Sequence, residues 1–223
     1  MARRGAGGGA NHAGEKIKQQ ALPGRPGLDV PQARPEYLAT FDHGGYPFSL
    51  GPDGLAIRNL LQGRCRGQEL SPFHLLAWQR GAKANVAWTY SVAVLRLPCT
   101  LQATAVTSRR LTAFHRVEKR PALNRLTGPV RDLPDLGTHL VHYCASDPDF
   151  AALISTYAME RRMHDARLGW RIEGNRMIGW THGRETYEAL LSLAETIAVI
   201  VKGFLEDAWC WWECGPRGRP GGK

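Results

Sequence analysis

The order of hydrophobic periods in the C-terminal half constrains this chain more than any motif it carries: a helical stripe, a stretch of alternation, then a second helical stripe. Phe150, Leu153, Ile154, Tyr157 and Ala158 recur at steps of three and four, so they share one side of a 3.6-residue spiral. Ser146 or Asp147 can cap the first turn, Pro148 suits the first helical position, Asp149 favours the positive dipole end and His164 the negative one. This pattern predicts one helix from Pro148 to about His164. Tyr187, Leu190, Leu191, Ala194, Ile197, Ala198, Val201 and Leu205 predict a second, longer helix. Between them Trp170 and Ile172 alternate with polar neighbours, Gly174 and Asn175 can supply positive φ, and Ile178 and Trp180 resume the alternation. Leu168 to His182 therefore reads as a β-hairpin.

Helices with a single apolar flank need a pleated layer to cover, and the first half supplies strands. Ile57 to Gln62 and Glu69 to Trp78 read as strands joined by a turn over Gly63 to Gly67, with Pro72 placing the start of the second at an edge or after that residue. Trp88, Tyr90, Val92 and Val94 point one way along a strand from Ala87 to Leu97, and Leu101 to Thr107 adds another. Tyr37 to Gly54 is punctuated by glycine and proline and reads as loop, and Arg109 to Gly137 as a long irregular connection. The expectation is an α+β fold: a mostly antiparallel sheet with two C-terminal amphipathic helices packed on one face. Its domain spans residues 36–208, with a sub-boundary conceivable near 110–137.

Charge follows a different map. The net charge is +9, but residues 1–35 hold +4 of it and residues 215–223 hold +3, leaving +2 for residues 36–214. Residues 1–35 are rich in Gly, Pro and Arg and poor in the apolar side chains that offset ordering entropy; together with residues 209–223 they are expected to be disordered basic tails. Five cysteines without an apolar leader segment suggest a reducing compartment, and the run Ala189 to Val201 is too short for a bilayer and carries Glu195. A cytoplasmic protein, in solution or at the membrane surface, is the expectation.

Three constellations are candidates for chemistry. Arg109, Arg110, Arg116, Lys119, Arg120, Arg125 and Arg131 are opposed only by Glu118 and interleaved with Phe114 and His115, a pattern suited to phosphate contacts on nucleic acid or anionic lipid. A solvated basic connection is the plainer account of the same residues. His139, His142 and Cys144 are zinc-ligand types, but on a strand only His142 and Cys144 share a face. Asp147, Asp149, His164 and Asp165 have complete explanations as helix-end residues. Seven tryptophans exceed ordinary usage and fit core positions in strands better than a ligand platform. No G-x-S-x-G, H-E-x-x-H, P-loop or G-x-G-x-x-G motif occurs, and nothing in the sequence calls for a cofactor.

Tyr46, Pro47, Phe48, the Asn59 to Gly67 segment, the Val92 to Pro98 strand and the run from Ser146 to Ala151 through Ile172 to Asn175 together resemble a group of uncharacterised actinobacterial proteins. The resemblance covers residues 40–207. It implies an α+β domain of unknown function, preceded by membrane segments in many members, and it supplies no catalytic residues. The sequence thus points to a binding or scaffolding module rather than an enzyme, whose partner is another protein or a membrane surface. Nucleic-acid or anionic-lipid binding through residues 109–131 is the first alternative. A metal-dependent enzyme around His142 and Cys144 is the second.

Overall fold

The computed structural model describes residues 28–29, 35–41, 46–48, 54–79, 86–117, 131–182, 186–204 and 208–209. Along the chain the elements are β1 (Leu28–Asp29), α1 (Pro35–Ala39), β2 (Gly54–Arg58), β3 (Gln62–Cys65), β4 (Gln68–Gln79), β5 (Val86–Arg96), β6 (Thr104–Ser108), α2 (Arg109–Val117), β7 (Arg131–Asp132), β8 (Val141–Ala145), α3 (Pro148–Ile154), α4 (Tyr157–Ala166), β9 (Leu168–Glu173), β10 (Arg176–His182) and α5 (Tyr187–Lys202). All strands pair antiparallel in one ten-stranded sheet of order β1-β3-β4-β5-β10-β9-β6-β8-β7, with β2 also pairing β4. The fold is α+β.

The C-terminal hairpin is the keystone of this order. It inserts β10 against β5 and β9 against β6, so the two strand groups of the earlier sequence are joined through it. Its turn is two residues long, and Gly174 takes φ +58 at the first central position, where a side chain would be strained.

Each long strand has two buried faces. Ala93 and Leu95 of β5 and Leu97 just past its end join Trp170, Ile172 and Met177 beneath α5, which buries Leu190, Leu193, Ala194, Ile197, Ala198, Ile200 and Val201. Phe150 and Ile154 of α3 and Met159 and Met163 of α4 belong to the same core. On the opposite face Trp88, Tyr90, Val92 and Val94 meet Phe73, Leu75, Ile178 and Trp180 under a lid of Phe41, Tyr46 and Phe48.

Several expectations change in detail. The helix expected from Pro148 to His164 is two helices, because Ser155 is extended and Thr156 starts a new cap by accepting from Met159 N at 3.3 Å. The first start is as expected, with the Asp147 carboxylate accepting from Asp149 N and Phe150 N at 2.9 and 3.2 Å. Residues 63–65, expected to be turn, belong with Gln62 to β3, and the reversal is confined to Arg66 and Gly67, both at positive φ. β4 runs straight through Pro72. The Pro72 carbonyl accepts from Leu61 N at 2.9 Å, so its missing N–H faces the same side, where the partner ladder is broken at Asn59 to Leu61 between β2 and β3.

The connection after Ser108 begins as helix α2 rather than irregular chain, and Pro35 to Ala39 form α1 inside the stretch expected to be loop and tail. Leu28 and Asp29 add a strand to the sheet, so structure reaches further into residues 1–35 than composition suggests. Trp209 lies with its ring centroid 5.8 Å from that of Phe204. The rest of both expected tails lies outside the described residues. No helix among the described residues is long and apolar enough to cross a membrane.

Candidate functional site

The two sheet faces are closed differently, and the difference leaves a cleft. α3, α4 and α5 cover one face with regular helices, whereas the other is capped by α1 and the aromatic segment around Phe41, Tyr46 and Phe48. Where that cap stops, an open cleft of about 460 Å³ lies over the ends of β3, β4, β5 and β10. Its floor is Val94, its aromatic wall Tyr37 and Phe41, and its polar rim Glu69, Ser71, Arg96, Asn175 and Arg176; Leu70 borders it from β4, but its side chain belongs to the core beneath the helices.

Strand register puts the rim together. Arg96 of β5 stands opposite Arg176 of β10, which stands opposite Glu173 of β9. Arg96 and Arg64 both reach Glu69, at 3.5 and 3.8 Å, and all three side chains are more than half exposed, so these pairs are weak and exchangeable. Arg176 has no carboxylate partner among the described residues. It donates through Nη1 to the Thr40 carbonyl at 3.3 Å and lies over the Phe41 ring, 5.8 Å from its centroid. Tyr37 hydrogen-bonds Ser71 close to the Arg176 charge; burial pushes its phenol pKa up against both influences, so it is a neutral hydroxyl.

One row further along the same face, Arg171 is 1% exposed, packed under Phe48 with its guanidinium carbon 5.8 Å from the ring centroid. Its Nη2 lies 2.8 Å from Glu173 Oε1, while Nε and Nη1 have no hydrogen-bond partner. Burial lowers its pKa and the Glu173 carboxylate opposes that shift. Arg171 is one of the polar residues with which Trp170 and Ile172 alternate. It is buried because the second sheet face is covered too.

Of the seven basic candidates, three have side chains that are described, and of these Arg109 and Arg110 lie apart from Arg131. Arg109 and Arg110 are exposed at the start of α2, just past the Ser108 end of β6. Arg131 is exposed on β7 opposite Ala145, which itself pairs with Thr104 at the other end of β6. Five residues of extended strand separate the two positions, about 16 Å. Arg116 lies on α2 with a side chain outside the described residues, and Lys119, Arg120 and Arg125 lie outside them altogether, as do Cys210 and Cys214.

His142 and Cys144 share a face of β8, and Asp132 joins them from β7. The Cys144 thiol donates to Asp132 Oδ1 at 2.8 Å, and burial, with that hydrogen bond and the carboxylate charge, pushes its pKa up to about 12. A thiol held neutral in this way is the reverse of a zinc ligand or nucleophile, both of which are thiolates. His139 is exposed, and no group of three or more His, Cys, Asp or Glu among the described residues is placed to hold a metal. Trp170 and Trp180 are fully buried and serve the core.

A buried carboxylate went unnoticed in the sequence. Glu160 of α4 is 1% exposed and accepts from Thr138 N at 2.9 Å, the Tyr143 hydroxyl at 2.9 Å and the Ser155 hydroxyl at 3.0 Å. Burial pushes its pKa up, and these hydrogen bonds outweigh that and bring it below the ordinary value of 4.5. The network ties the α3–α4 break to β8 and the preceding loop. Its role in the fold is to hold that junction together.

The chain matches none of the models of known protein families and none of the curated proteins with which it was compared. Among solved structures, a mycobacterial protein described as trehalose monomycolate transport factor A shares its fold, with a TM-score of 0.51 and 12% identity. The match covers 80% of this chain and 89% of the other. At that identity the likeness is one of architecture, and its actinobacterial source agrees with the resemblance read from the turn and cap residues.

Proposed function

We propose that this chain is a non-enzymatic binding module that serves as an accessory factor in the movement of an envelope lipid, recognising a partner rather than transforming a substrate. The observation that carries the reading is the fold shared with a transport factor over 80% of the chain, reinforced by an open cleft whose polar groups are arginines, hydroxyls, amides and one carboxylate held between arginines. Residues 36–208 act as the unit, in the cytoplasm or at the membrane surface. The test is depletion of the protein in its native host followed by quantification of lipids in inner and outer envelope fractions. One lipid is expected to accumulate on the side where it is made and to be redistributed when the wild-type chain is restored. An unchanged distribution overturns the reading.

A second reading is contact with nucleic acid or an anionic membrane through residues 109–131, favoured by the exposure of Arg109, Arg110 and Arg131. Retention of the full chain on heparin that falls with salt and is lost in Arg109→Gln/Arg110→Gln would place it first.

A further inference from the structure

The cleft beside α1 has the composition of a site for a charged head on an apolar body. Its volume of about 460 Å³ lies within the range of small-molecule sites, about 300–1,000 Å³. Val94 and the Tyr37 and Phe41 rings make its interior apolar, and the two arginines of its lining outnumber the single carboxylate, Glu69. That carboxylate is already shared between Arg64 and Arg96. Arg176 is the group left over. Its one hydrogen bond is to a backbone carbonyl and its face rests on a ring, so the remaining N–H groups of the planar fork are available to an incoming oxyanion. Ser71, Asn175 and the neutral Tyr37 hydroxyl add donors around the same opening.

We propose that this cleft binds the oxyanion head, a phosphate monoester or carboxylate, of a small amphipathic molecule, with the head on Arg176 and Arg96 and the body along Tyr37, Phe41 and Val94. The assignment goes beyond the transport reading and does not depend on it. A chain without any role in lipid movement could still hold such a ligand.

Titration of the full chain by calorimetry at fixed ionic strength tests it, using octyl phosphate, inorganic phosphate and octyl glucoside below its micellar concentration. Octyl phosphate is expected to bind one to one and at least about tenfold more tightly than inorganic phosphate, because the octyl chain buries apolar surface that the free ion lacks. Octyl glucoside is expected not to bind. Arg176→Gln should weaken octyl phosphate about tenfold or more and Arg96→Gln by a smaller factor, while Arg109→Gln, on the α2 side of the molecule, leaves it unchanged. Arg96 is exposed at the sheet end, so its variant folds even if Arg176→Gln does not, and Arg176→Lys, keeping the charge but losing the fork, should fall between. Absence of saturable octyl phosphate binding, equal affinity for the glucoside, equal affinity for inorganic phosphate, or indifference to both arginine variants would each overturn the proposal.

Discussion

The two faces of one sheet were closed by opposite means, and the contrast explains both the stability of the molecule and where its cleft lies. Under the helices, Trp170, Ile172, Met177 and Leu95 meet long regular stripes, and even the polar Trp170 Nε1 finds a partner in the Met163 sulfur at 3.1 Å. On the far side the cover is a five-residue helix and a few aromatic rings, Trp180 Nε1 has no acceptor, and a guanidinium is buried with two unpartnered nitrogens. A helix can seal a long strip of sheet because its side chains repeat at constant pitch. A short irregular cap seals only what its individual rings reach, and the uncovered strand ends become the cleft.

The strongest way to break this contrast is to hollow out the helix-covered side. Trp170→Ala removes a fully buried ring between Met163 and Phe204. It is expected to cost about 3–5 kcal/mol in chemical denaturation, because the regular helices around it collapse poorly into the cavity. A loss below about 1 kcal/mol would mean that this side is as loosely packed as the other.

The next effect concerns the buried carboxylate beneath the helices. Glu160→Gln keeps the shape but makes the hydrogen bonds to its one remaining oxygen neutral and sets an amide NH2 where the other oxygen accepted, for an expected cost of about 2–3 kcal/mol at pH 7. Because the folded-state pKa of Glu160 lies below its ordinary value of 4.5, the ionised form contributes stability above that pH, and the contribution is lost as pH falls through the folded value. The gap between wild type and Glu160→Gln should therefore be full at neutral pH and close progressively below about pH 4.5. A gap that does not vary with pH would assign the cost to packing instead.

What was legible in the sequence follows the same divide. The stripe from Tyr187 onward, the Asp147 cap and the Gly174 turn are local signals, and each is where periodicity and cap chemistry place it. The break at Ser155 is masked in the sequence because Phe150 to Ala158 keep helical spacing across it; it is held by the tertiary bond from the Tyr143 hydroxyl to Ser155 and by the local Thr156 cap. Arg171 and Glu173 alternate with Trp170 and Ile172 as any solvent-facing pair would, and their burial comes from Phe48, more than 120 residues away in sequence. The cleft was missed for the same reason, since Arg96 and Arg176 meet only through the β5–β10 register. One signal was available: Tyr37 and Phe41, four residues apart, mark an aromatic stripe inside a stretch read as loop.

A smaller effect is expected where α5 lies nearest the sheet. A Cβ on Gly179 would run into the Cγ1 and Cδ1 atoms of Ile197, so Gly179→Ala must push helix and strand apart. The expected cost is about 1–3 kcal/mol by overpacking, and the double variant Gly179→Ala/Ile197→Val should recover part of it. No recovery in that pair would show that strand conformation, not helix approach, sets the glycine.

The smallest effect tests whether the other face tolerates what the helix-covered face does not. Arg171 gains one carboxylate contact, at 2.8 Å, and a ring contact, against the desolvation of a whole guanidinium with two unpartnered nitrogens. Replacing a buried ion by an apolar side chain of similar volume is often neutral or favourable, and the Glu173 left behind keeps access to water, its side chain being 24% exposed. Arg171→Met should then change stability by no more than about 1 kcal/mol in either direction. Glu173→Gln should cost more, because it strands the buried cation without a carboxylate. If instead Arg171→Met destabilises as strongly as Trp170→Ala, the arginine is holding the aromatic cap in place. The loosely closed face would then depend on a polar anchor, where the helix-covered face depends on packing.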